Sequence, residues 1–71
     1  MRWTNYQRVN AMRILRLPAV SELTGLPRST LYLYMSKGLF PKPIQLGVRT
    51  VGWIHDEVDQ WLRQKRDSRV L

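Results

Sequence analysis

Apolar residues fall in short blocks along this chain of 71 residues, and prolines and glycines stand at the joints between them. Arg13 to Leu17, RILRL, is apolar and branched enough for a short edge strand. Pro18 suits the first turn of a helix, where its missing N–H costs nothing. The first helix is predicted over Pro18–Thr24, with Val20, Leu23 and Ala19 as its apolar stripe. Gly25 is the expected stop, and Leu26 is expected to plug the corner that follows. A second helix is predicted over Pro27–Lys37, ended by Gly38, with a cation in its last turn to complement the dipole. Leu31, Tyr34 and Met35 lie at i, i+3 and i+4 and form its buried face. Arg28, Ser29, Tyr32, Leu33 and Ser36 are left facing outward.

Phe40-Pro41-Lys42-Pro43 is predicted rigid and extended, because two prolines flank Lys42. Ile44–Leu46 and Val51–Ile54 flank Gly47-Val48-Arg49-Thr50 and read as a short hairpin with Arg49 at its tip. A last helix over Asp56–Arg66 starts with Asp56, Glu57 and Asp59 and ends with Arg63, Lys65 and Arg66, the polarity that the helix dipole favours. Val58, Trp61 and Leu62 form its core face. Two helices joined at a glycine make a helix-turn-helix, and a hairpin after the second helix makes a wing. The fold class is therefore mainly α with a small β-hairpin, a winged helix-turn-helix. Residues 1–13 are read as an arm without clear periodicity, open to disorder, to phosphate contact through Arg2 and Arg8, or to docking through Trp3 and Tyr6. Residues 14–66 form the domain, and 67–71 a fraying tail.

Charge sharpens the picture. Twelve Lys and Arg against five Asp and Glu leave a net charge of +7, which favours a polyanionic partner. Residues 25–53 contain Arg28, Lys37, Lys42 and Arg49 and no acid, so the second helix and the hairpin are purely basic. An ordinary solvated basic surface is the plainer alternative. No apolar run approaches the roughly 20 residues of a membrane span. The basic N-terminal stretch lacks an apolar run of signal-peptide length after it, so a cytoplasmic protein associated with the nucleoid is expected.

The N-terminal half of a recognition helix meets base edges. The expected DNA-binding set on the second helix is Arg28, Ser29, Thr30, Tyr32, Leu33, Ser36 and Lys37. On the wing and its flank it is Lys42, Val48, Arg49 and Thr50. Arg28 is the best candidate for a guanine contact, and Arg49 for phosphate or the minor groove. Each has a plainer reading: Ser29 and Thr30 as helix caps, Tyr32 as a packing aromatic, Arg49 as a solvated turn residue. Leu33 suits a thymine methyl, a protein partner or the underside of the wing.

Enzymatic equipment is not apparent. No carboxylates pair in an apolar setting, and Gly25, Gly38, Gly47 and Gly52 are too scattered for a phosphate-binding loop. There is no cysteine, and the one histidine, His55, stands beside Asp56 at a helix start, where a surface or capping role is expected. A chain this short cannot wall off a substrate cavity of ~300 Å³. No catalysis, metal or cofactor is expected.

The ordered combination TGLPRSTLYLYMSKGLFPKPIQLG, VGW and EVDQWL resembles the AlpA-like phage regulatory proteins. These are excisionase-type DNA-binding proteins related to the winged-helix domains of MerR regulators. The resemblance covers Ile14 to about Arg66. It implies a MerR/excisionase-like winged helix and a cytoplasmic role in mobile-element biology, as a transcriptional regulator of an integrase gene or a recombination directionality factor. The family pattern carries over onto Pro27, Arg28, Ser29, Thr30 and Tyr32. Family members usually have a basic residue at the position of Leu33 and an aliphatic one at Tyr34, and this chain departs at both.

The leading expectation is sequence-specific binding of double-stranded DNA at an attachment site or integrase promoter, with cooperative self-association on DNA and contact with an integrase as further partners. Two other classes stay open. One is a protein-interaction module using Leu33, Trp3 and Tyr6 toward an integrase, polymerase or toxin. The other is single-strand binding by aromatic stacking.

Overall fold

The structure, a computed structural model, describes residues 12–69. In chain order it contains β1 (Ile14–Leu15), α1 (Leu17–Thr24), α2 (Arg28–Ser36), β2 (Ile44–Gln45), β3 (Val51–Ile54) and α3 (His55–Asp67). Most of the expected arm, residues 1–11, and residues 70–71 lie outside the described residues.

The two ends of the helix-turn-helix are held by local chemistry. Arg16 precedes α1 with extended backbone, and Pro18 sits within the first turn. Gly25 closes α1 with φ +76° and donates its N–H to the Ser21 carbonyl at 2.8 Å. The turn is then laced by hydroxyls. Ser21 Oγ donates to the Leu26 carbonyl at 2.7 Å, and the Leu26 N–H donates to Thr24 Oγ1 at 3.2 Å. Helix α2 starts after Pro27, one residue later than expected. It ends in a Schellman motif about Gly38 (φ +72°): Gly38 N–H donates to Met35 O and Leu39 N–H to Tyr34 O. Lys37 is the capping residue rather than a member of the last turn.

The sheet is antiparallel, in the order β1-β3-β2. Ile14 pairs with Ile54 and Leu15 with Trp53 on one side of β3; Ile44 pairs with Gly52 and Gln45 with Val51 on the other. The expected edge strand thus becomes a third strand beside the hairpin. Past it, His55 N–H donates to the Arg13 carbonyl at 2.7 Å and leads directly into α3. Helix α3 exceeds its predicted span by one residue at each end. Asp56 and Glu57 occupy its first turn and Lys65 and Arg66 its last, while Asp59 bonds Arg63 one turn on.

All three helices, β1, β3 and the α2–β2 connection contribute to one core: Leu15, Val20, Leu31, Met35, Phe40, Trp53 and Val58 are buried. Leu17, Leu26, Tyr34, Trp61 and Leu62 pack around it. Full burial of such a side chain contributes about 1.5–3 kcal/mol. The apolar stripe predicted for the first helix is narrower than expected. Val20 alone on α1 is buried, and Ala19 and Leu23 are exposed, because an eight-residue helix meets the core through a single turn. The indoles anchor the proline-rich connection. Trp53 Nε1 donates to Pro41 O at 3.1 Å and Trp61 Nε1 to Leu39 O at 2.6 Å, with Phe40 edge-on to Trp61 at 4.8 Å. A mainly-α domain with a helix-turn-helix and a three-stranded sheet is the result, winged-helix-like in its connectivity.

Candidate nucleic-acid interface

Helix α2 packs on α1 and into the core through Leu31 and Met35, with the half-buried Tyr34 beside Trp61, which turns Arg28, Ser29, Tyr32, Leu33 and Ser36 into solvent. Thr30 is half-buried. No side chain caps the start of α2, and neither the Ser29 nor the Thr30 hydroxyl bonds a described residue, so the capping role weighed for them is not taken up. Ser36 differs: its Oγ donates to the Leu33 carbonyl at 2.7 Å and is already engaged. Leu33 is 49% exposed.

Arg28 and Tyr32, one helical turn apart, are in contact. The guanidinium carbon lies 5.7 Å from the ring centroid, within the range of a cation–π interaction. Tyr32 also lines an open groove of about 470 Å³ with Met35, Ser36, Lys42 and Pro43. The structure therefore gathers Arg28, Tyr32, Ser36 and Lys42 onto one continuous surface. Among the described residues no carboxylate lies within salt-bridge distance of Arg28, Lys37, Lys42 or Arg49. The acids that pair do so with residues of α3.

Val48, Arg49 and Thr50 form a second, separate group at the hairpin turn. Its loop runs from Leu46 to Thr50, with the Leu46 and Gly47 N–H groups both donating to Thr50 O. Gln45, absent from the expected set, pins this loop: its Nε2 donates to the carbonyls of Gly47 and Val48 at 3.0 and 3.2 Å. Val48 is 90% exposed and Arg49 is exposed beside it. Nothing in the residue pattern marked Gln45, whereas the i, i+4 spacing of Arg28 and Tyr32 was a readable signal of their contact.

The concavities among the described residues are open grooves. One, of about 710 Å³, runs between Pro41–Lys42 and the outer face of α3 at Trp61 and Gln64. No three His, Cys, Asp or Glu side chains cluster as metal ligands among the described residues, and no described helix is long and apolar enough to cross a membrane. His55 Nδ1 approaches Asp56 at 3.5 Å at the start of α3.

The fold and this surface define a winged-helix-like domain whose second helix presents Arg28 and polar side chains to solvent. Residues 13–66 match the family model of the prophage CP4-57 regulatory protein AlpA, and the chain belongs to that family of regulatory proteins, which are not enzymes. It is 47% identical over 62 residues to the DNA-binding transcriptional activator AlpA of Escherichia coli strain K12, an alignment covering 79% of this chain and 89% of that protein. It is 48% identical over 50 residues to the uncharacterized protein ORF88 of Enterobacteria phage P4, covering 70% of this chain but 57% of that protein.

Proposed function

We propose that this chain is a DNA-binding transcription regulator of a prophage-type mobile element that reads duplex DNA with α2. The carrying observation is the outward face of α2: Arg28 and Ser29 stand exposed at its N-terminal end, and among the described residues Arg28 has no carboxylate partner and Ser29 makes no capping bond. In this reading Arg28 makes the guanine contact in the major groove, with Ser29 and Thr30 beside it. Lys42 and Lys37 meet phosphates, and Arg49 carries the wing to the backbone or minor groove. The E. coli relative, described as a DNA-binding transcriptional activator, supports this assignment.

The more specific role is regulation of an integrase gene, recombination directionality at the attachment site, or both, in the cytoplasm. A single module buries roughly 600–1,000 Å² on DNA, so adjacent copies on repeated sites would supply affinity and bend the duplex between them. As an excision factor the protein would shape the DNA and leave strand chemistry to the integrase.

Footprinting across the integrase promoter and attachment site of the element that carries this gene tests the reading. Protection of short repeats at one or both places is expected, and their location separates the two roles. Absence of protection at low salt, where phosphate contacts are strongest, would refute it.

A further inference from the structure

We propose that Tyr32 is a positioning residue for Arg28, holding the guanidinium ready for base contact rather than reading a base with its own hydroxyl. The inference rests on the DNA-reading role of α2 proposed above.

Arg28 is the first residue of α2. A cation there faces the positive end of the helix dipole and the free N–H groups of the first turn, so the helix itself does not hold it. Among the described residues no carboxylate holds it either. An arginine left loose has up to about 2 kcal/mol of rotamer entropy to lose on binding. What this guanidinium does contact is the ring of Tyr32, 5.7 Å from its centroid. Tyr32, itself 45% exposed, borders the open groove formed with Met35, Ser36, Lys42 and Pro43. An aromatic face orders a guanidinium without using its N–H donors, which lie in the guanidinium plane and stay free for a base edge. The same order imposed by a carboxylate would occupy those donors.

The test uses the full chain and a duplex that the protein itself enriches from a randomised pool. Its readout is the ratio of affinities for that duplex and for random duplex of equal length. Arg28→Ala should lower the ratio at least fivefold, the low end of a bidentate base contact. Tyr32→Leu should lower it about two- to fivefold, the equivalent of an exposed cation–π contact. The same change made in the Arg28→Ala background should have no further effect, and Tyr32→Phe should restore what Tyr32→Leu loses. Two results overturn the inference alone: a Phe variant as impaired as the Leu variant, which makes the hydroxyl the reader, or additive losses for Arg28→Ala and Tyr32→Leu. Enrichment of no duplex by the parent protein overturns the DNA-reading role itself and this inference with it.

Discussion

The indole N–H of Trp61 donates to the carbonyl of Leu39 at 2.6 Å and so ties α3 to the segment leaving α2. Trp53 makes the matching bond to Pro41 two residues on. Both indoles hold the connection that carries Lys42, but they differ in burial. Trp53 is 1% exposed, whereas Trp61 is only partly buried and its acceptor, Leu39, is 54% exposed. Trp61→Phe is expected to cost about 1 kcal/mol, since water can take over the Leu39 carbonyl. Trp53→Phe should cost about 2–3 kcal/mol, because it opens a cavity at a buried side chain and also removes a partly buried hydrogen bond. In a domain this size each kcal/mol lowers Tm by about 4–8 °C, so thermal unfolding should rank the two variants clearly.

Gly52 lies where β1 and β2 close on β3. A Cβ there would meet Ile14 Cγ2 at 2.5 Å, Leu46 Cδ1 at 3.1 Å and Leu15 O at 3.3 Å. The side chains can turn aside, but the Leu15 carbonyl is backbone. Gly52→Ala should therefore destabilise by about 1–3 kcal/mol and loosen β1. Gly47→Ala, whose Cβ would meet only Thr50 at 3.7 Å, should stay within about 0.5 kcal/mol of the parent. Equal denaturation midpoints for the two would contradict this packing.

Gly25 has open space around it, so its constraint is φ alone. At φ +76°, Gly25→Ala should cost about 1–2 kcal/mol, and Gly25→Asn less, because asparagine tolerates the left-handed region better. Chemical denaturation of both variants checks the order. An alanine variant as stable as the parent would mean that the turn can be rebuilt.

Asp59 titrates below the usual carboxylate range, chiefly because Arg63 Nε donates to its Oδ2 at 2.8 Å, with the charges of Arg63, His55 and Arg66 adding to the effect. A lowered folded-state pKa makes the pair stabilising above the unfolded carboxylate's ordinary value of 3.8. That contribution is lost as pH falls through the lower, folded value. The pair is exposed, so neutral-pH stability should barely register Arg63→Gln. Its signature is instead the carboxyl carbon shift of Asp59, which should titrate at higher pH in that variant than in the parent.

Arg49 at the wing tip is predicted to contact phosphate and not base. Arg49→Ala should weaken the enriched and the random duplex alike, and should reduce the slope of log affinity against log salt by about one unit. A loss confined to the enriched duplex would make Arg49 a base reader.

Local rules were enough for most of the chain's architecture. Pro18, Gly25, Pro27 and Gly38 set the helix limits to within about one residue, because a missing N–H or a left-handed φ acts on its own neighbours. The hairpin around Arg49 and the basic character of residues 25–53 were legible for the same reason. Tertiary packing decided the rest. Leu23 looked like core and is exposed, since a stripe of apolar residues is buried only where another element covers it. Ile44 and Leu46, which alternate as a buried strand face would, remain exposed on a sheet whose outer side no described helix covers. The indole bonds to Leu39 and Pro41, the tight seat of Gly52 and the bracing of the wing by Gln45 depend on distances between segments or on a loop's closed shape. Composition and periodicity do not encode those distances. Sequence alone thus determined where the second helix would lie and which of its residues would face outward. The tertiary structure determined which of its side chains stay free, because freedom from a partner is a property of the assembled surface.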